Sequence, residues 1–276
     1  MYNITYLATF GHQKSITPLI FSRLYFGNSR EPFKLIIMGE TVYVITSALD
    51  TSMIYKSDQF SMDPWINDLM LQFGASRPSV KAMFSPVLTS EKGEPPIDPS
   101  LGLSNWQGKP LKEVCVLLFR LFLNPGHNSE TLLQVLLETV NTRMSWEGIP
   151  EEQILAKNSG GYTVSLLKWS QHVLLEGATR SFFGKALLDL EPNLFKSFYA
   201  FDESSWKLPY KIPEIFAHDV ATSKAVAVQA LRKYFDLPKD QRSDASLVIQ
   251  QIESAMRANG IGSADMGTLV LLFYWV

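Results

Sequence analysis

From Leu111 onward the apolar residues recur at helical spacing. Leu111–Leu123 reads as one helix and Ser129–Met144 as the next, with Leu132, Leu133, Leu136, Leu137 and Val140 on a single face. "YTVSLLKWSQHVLLEGATRSFFG" reads as a long helix ending at Gly184, with Arg180 placed to favour its C-terminal dipole. A helix opened by Glu191-Pro192 follows, then the extended link "KLPYKIP". Two more amphipathic helices span Phe216–Phe235 and Ala245–Met256, and Gly260 to Gly262 breaks the chain before the apolar run "MGTLVLLFYWV".

The earlier part of the chain reads differently. Pro18–Phe26 predicts a short helix, and the β-rich runs Phe33–Met38 and Thr41–Thr46, joined by Gly39-Glu40, predict a hairpin. "ALDTSMIYKS" predicts a brief helix directly after it. "MDPWINDLMLQFG" predicts another, with Asp63 as cap, Pro64 at the first helical position and Gly74 as stop. Ser85–Pro110 is rich in Pro, Gly, Ser and charge and reads as a long surface loop, and "EGIPEEQILAKNSGG" reads as a turn-bearing connection. The fold class expected is therefore mainly α, with one small N-terminal β hairpin and about eight helices after it. Three stretches follow from this: a β-hairpin subdomain over 1–60, a helix and long loop over 61–110, and a helical part over 111–276.

Composition narrows the function classes. At 46% hydrophobic residues in 276, the chain can fill a sizeable core. A formal charge of -2 gives no electrostatic reason to expect a nucleic-acid partner, which needs a basic stripe against phosphates. The N-terminus has neither the ~18 apolar residues of a membrane span nor the pattern of a signal peptide, so neither an anchor nor a secretory leader is expected. Asn3-Ile4-Thr5 matches the glycosylation motif only formally.

Candidate chemistry is sparse. The four histidines, His12, His127, His172 and His218, form no i,i+4 pair and have no nearby cysteine, so no metal site is expected from them. "GIGSADMG" places Asp265 where a phosphate-binding loop would carry its third glycine, and no strand precedes it. No G-x-S-x-G elbow is present and no catalytic residue emerges. The single cysteine, Cys115, sits in "EVCVLLFRLF", a setting that raises rather than lowers a thiol pKa. Trp65, Phe73, Phe84, Trp169, Phe182, Phe183 and Trp275 form an aromatic-rich set in which the core is the ordinary destination. The stretch Trp65–Phe84, an apolar helix in a loop-rich region, could instead line a ligand pocket.

The order of these elements resembles the N-terminal half of the cytochrome P-450 superfamily, the haem-thiolate monooxygenases. Within it the chain looks most like fungal members near the sterol-hydroxylase and prostacyclin-synthase branch. The hairpin "PFKLIIMGETVYVITSA" and its immediate helix carry the resemblance first. "FRLFLNPGHNSETLLQVLLETV" looks like the family's C-to-D helix join and "GATRSFFG" like the close of helix E. "LEPNLFKSFYAFDESSWKLPYKIP" resembles helix F and its loop, Phe216–Phe235 would be helix G, and "ANGIGSADMGTLVLLFYWV" the first half of the central helix I.

The resemblance implies an incomplete P-450-like domain ending within helix I. In complete form it implies a haem-dependent monooxygenase hydroxylating a lipophilic, sterol- or terpenoid-like substrate in secondary metabolism, with a reductase as partner and a location on the cytoplasmic side associated with the endoplasmic reticulum. It also implies Trp65, Phe73, Phe84, Leu271, Phe273 and Trp275 as pocket walls. The family's F-x-x-G-x-x-x-C-x-G haem loop and any supported E-x-x-R helix are absent from the sequence, so no stably bound haem is expected and the chain alone is expected to be inactive. The alternative is a non-enzymatic helical protein that binds an apolar ligand or a partner helix through its apolar C-terminus.

Overall fold

The computed structural model describes residues 31–275, apart from 38–39, 46, 58, 90–94 and 104. The predicted helix Pro18–Phe26, Asn3, His12 and the Gly39 side of the first turn lie outside the described residues. The predicted hairpin forms: β1 (Phe33–Ile37) pairs antiparallel with β2 (Glu40–Val44), Phe33 opposite Val44 and Ile37 opposite Glu40. Helix α1 (Ala48–Lys56) follows at once, with the Ser47 hydroxyl accepting a bond from the Asp50 N–H at 3.3 Å.

Among the described residues there are eleven α-helices, so the chain is mainly helical as its pattern requires. Helix α2 (Asp63–Phe73) carries Pro64 in its first turn, and Gly74 closes it at φ 103°, a left-handed conformation that glycine adopts without a Cβ penalty. A short α3 (Arg77–Met83), not foreseen from periodicity, is opened by the Ser76 hydroxyl. The stretch expected as a surface loop holds a 3-10 turn, Pro99–Leu101, among its described residues, but it is pinned to the core by Val87, Ile97 and Trp106, each at most 8% exposed, because these apolar side chains interrupt its polar composition. Helices α4 (Leu111–Leu123) and α5 (His127–Met144) match the expected spans closely.

The connection after α5 departs from expectation. It holds a second antiparallel hairpin, β3 (Ile154–Asn158) with β4 (Gly161–Val164), so the long helix starts at Leu166 rather than at Tyr162. Most of the hairpin is exposed, which is why it left no hydrophobic alternation to read. The remaining helices are α6 (Leu166–Phe183), the short α7 (Ala186–Leu190), α8 (Leu194–Ser204), α9 (His218–Asp236), α10 (Leu247–Ala258) and α11 (Ser263–Trp275).

The apolar terminal run that lacked a polar face is buried: Leu269 to Leu272 are all at most 4% exposed. Burial of those four side chains contributes roughly 6–12 kcal/mol at 1.5–3 kcal/mol each, an upper value because the unfolded chain hides some of this surface. Helix α11 lies against α9 at close range because Gly267 faces backbone: a Cβ there would stand 2.9 Å from the Arg232 nitrogen and the Val228 carbonyl oxygen. Among the described residues no helix is long and apolar enough to cross a membrane.

Two buried carboxylates brace the helices. Glu176 on α6 takes a bidentate pair from Arg143 on α5, at 2.7 and 2.8 Å, and a third bond from Arg180 at 2.9 Å. Glu253 on α10 is held by Arg242 at 2.5 and 2.7 Å and by Arg257 at 2.8 Å. Burial alone would raise both carboxyl pKa values, but the arginine hydrogen bonds and charges outweigh it and leave both below the ordinary 4.5. The stability these groups lend is therefore present above the unfolded value and lost as pH falls through the lower folded values. Melting temperature followed from neutral pH downward is expected to hold steady and then drop below about pH 4.5. A Glu176→Gln/Glu253→Gln double variant is expected to melt lower at neutral pH and to show a flatter acid limb.

Candidate functional site

Helix α8 places Leu194, Phe198 and Phe201 at helical spacing, and Leu194 and Phe201 are buried. This face meets the C-terminal end of α11, where the apolar sequence turns aromatic at Phe273, Tyr274 and Trp275. Phe73, at the end of α2, completes the contact. Its ring centroid lies 5.7 Å from Phe201 and 5.6 Å from Trp275, with Phe201 and Trp275 6.0 Å apart. These separations are those of favourable edge-on and tilted aromatic pairs.

A second aromatic group lies on the other side of the same helix end. Phe273 stands 6.0 Å from Phe119 of α4, which in turn stands 6.3 Å from Phe182 of α6. Tyr274 lies between, edge-on to Phe183 at 5.8 Å and to Phe198 at 5.1 Å.

Polar groups fix the rings. The indole N–H of Trp275 donates to Asp202 of α8 at 3.2 Å. The Tyr274 hydroxyl shares a short hydrogen bond with the Thr179 hydroxyl, and burial raises its pKa far above the ordinary tyrosine value. Tyr199 is pushed up to about 12, first by burial and then by the charge of Asp202, and its buried hydroxyl has no protein hydrogen-bond partner. Such groups can orient an apolar surface. Both tyrosine hydroxyls are held in the neutral form at neutral pH by burial.

The first turn of α11 is anchored to α3. Asp265 accepts from the Ser76 N–H at 2.8 Å and from the hydroxyls of Ser76 and Ser79 at 2.7 Å each. Lys224 of α9 donates to the Gln72 carbonyl at 3.2 Å, and Lys211 lies 3.3 Å from Asp68. Helix α2 is thus tied down at its middle and near its C-terminal end.

Of the six residues expected as pocket walls, Phe73 and Trp275 touch each other. Phe273 joins the second aromatic group, and Leu271 is a core residue at 1% exposure. Phe73 is equally closed at 1%, while Trp65, Phe84, Phe273 and Trp275 are partly exposed and packed against the core. Phe84 lies apart under the Lys112 ammonium, 4.9 Å from its ring centre, and Trp65 packs against the core. Phe201, Phe119, Tyr274, Asp202 and Thr179 were not foreseen. The spacing of α8 carried a signal for Phe201, but nothing local ties Asp202 to an indole 73 residues away.

The residues that could bind a metal are dispersed. His127 is exposed and pairs with Glu130 at 3.4 Å. His172 stands edge-on to Phe195 at 5.3 Å and 3.7 Å from Glu176. His218 lies near Thr222 on the surface. Among the described residues no three His, Cys, Asp or Glu side chains converge. Cys115 is 0% exposed inside α4, and burial pushes its thiol up to about 12. Compared with models of known protein families the chain matches none, and compared with curated proteins it matches none.

Proposed function

We propose that this chain is a cytochrome P-450-like protein, the helical scaffold of a haem-dependent monooxygenase for a lipophilic, sterol- or terpenoid-like substrate. The seating of α11 carries the reading: an almost wholly apolar helix runs buried through the core and delivers Phe273 and Trp275 to aromatic groups at one end. The order of elements supports it, since a hairpin, an immediate helix, the helix Asp63–Phe73 and a long Pro/Gly-rich stretch precede the helical remainder. A reductase partner and an endoplasmic-reticulum location on the cytoplasmic side belong to the same proposal.

Haem, when bound, supplies the oxygen chemistry of such an enzyme. Cys115, buried in the middle of α4, does not fit as its axial ligand. What the chain's own residues do is form and order an apolar wall. Asp202 holds the Trp275 indole against Phe73 and Phe201, and Thr179 holds Tyr274 against Phe183 and Phe198. A lipophilic ligand gains by transfer from water to such a surface, and few polar groups are needed to orient it.

The test is equilibrium titration of the purified chain with a sterol, read by tryptophan emission. The chain has six tryptophans, so the signal is taken as the difference from a Trp275→Phe variant. A saturable change that disappears in Trp275→Phe is expected. Emission that is linear in sterol, or equal in the two proteins, counts against the proposal.

One observation favours the second reading, a non-enzymatic helical protein that binds a partner helix. Leu133 and Leu137 on α5 and Leu174 on α6 are 50–59% exposed, and α5 packs on α6. A defined complex on size-exclusion chromatography that Leu137→Glu dissolves, without sterol binding, would favour that reading.

A further inference from the structure

We infer that this chain forms no haem–thiolate centre from its own residues, an inference that rests on the P-450-like reading. The ligand in that chemistry is a cysteine sulfur carrying negative charge, and Cys115 is the single cysteine available. It lies mid-helix in α4 on the face that also carries Leu111, Val114, Leu118 and Phe122, all buried. Presenting Sγ to a porphyrin would require rotating that whole face out of the core and exposing four large apolar side chains along with it.

The local chemistry points the same way. The flanking Val114 and Leu118 are 0% exposed and offer neither charge nor hydrogen-bond donors to a thiolate. A structural thiol of this kind is inert, in contrast to the partly exposed, electropositive settings of reactive cysteines. Nor do the described histidines gather into a substitute. His127 stands at the start of α5, His172 within α6 beside Glu176, and His218 at the start of α9.

The experiment has two arms on the purified full chain. Haemin is added, then reduced under carbon monoxide, and the Soret region is recorded for the chain and for Cys115→Ser. No red-shifted thiolate-type band is expected in either protein. In parallel, a disulfide thiol reagent is expected to leave Cys115 unmodified in the native chain and to label one equivalent after denaturation, a readout that needs no variant to fold. A stoichiometric thiolate-type band that Cys115→Ser abolishes, or full labelling of the native chain, would overturn the inference. Such a band would at the same time strengthen the P-450-like reading. A differently connected experimental fold would remove that reading, while the thiol labelling would still report whether Cys115 is buried.

Discussion

Glu253→Ala is expected to lower the melting temperature by roughly 8 °C or more, from a loss of about 4 kcal/mol. Glu253 is 1% exposed and Arg242 3%, so removing the carboxylate strands a guanidinium in the core between α9 and α10. Arg242 also lies over the Tyr234 ring at 5.1 Å and the Phe235 ring at 5.7 Å, and cannot swing to water without opening that contact. Its Nε–H still has the Leu237 carbonyl at 3.1 Å, but the two terminal nitrogens lose their acceptors. Arg257→Ala is the control: that side chain is 45% exposed, and its loss leaves the Arg242–Glu253 pair intact. A drop of similar size in both variants would show that the buried pair is not what matters.

Gly267→Ala is the second large effect, a loss of about 3 kcal/mol and roughly 6 °C, at the upper end of the ordinary cost of overpacking. The added methyl would meet the Arg232 nitrogen and Val228 oxygen at 2.9 Å and the Arg232 Cα at 3.3 Å. These are backbone atoms of a helix, so relief requires moving α9 away from α11. Gly177 makes the comparison: its Cβ would meet first the Leu136 side chain at 2.5 Å, which can rotate aside. Gly177→Ala is therefore expected to cost less. Thermal melting of the two variants side by side checks the ordering.

The fold was legible where burial imposes a period. Leu111–Leu123 came through residue for residue, because five of its thirteen positions are buried on one stripe. The start and stop of α2 were written in Pro64 and Gly74, whose backbone preferences act locally. The hairpin Ile154–Val164 was missed for the converse reason: on a mostly exposed surface, Ala156, Lys157 and Asn158 carry neither alternation nor β propensity. Helix Arg77–Met83 is too short for periodicity, although Ser76 and Pro78 do mark its start.

The site was legible only as a set of aromatic residues. That Phe73 would meet Trp275 follows from the docking of α2 across the end of α11, which depends on tertiary contacts such as Asp265 with Ser76 and Ser79. No local pattern encodes those. Asp202 and Thr179 escaped notice because an exposed acid on one helix and a hydroxyl on another look like ordinary residues until the rings they hold are in place.

A P-450-like scaffold with α11 as its buried central helix can be checked by superposing a crystal structure of this chain on a haem-thiolate monooxygenase. Ser263–Trp275 is expected to overlay the first half of the long central helix. The hairpin Phe33–Val44, the helix Asp63–Phe73 and the pair Leu194–Ser204 and His218–Asp236 should follow in the same order and connectivity. A structure in which Ser263–Trp275 lies at the surface, or in which these elements connect in another order, would contradict it.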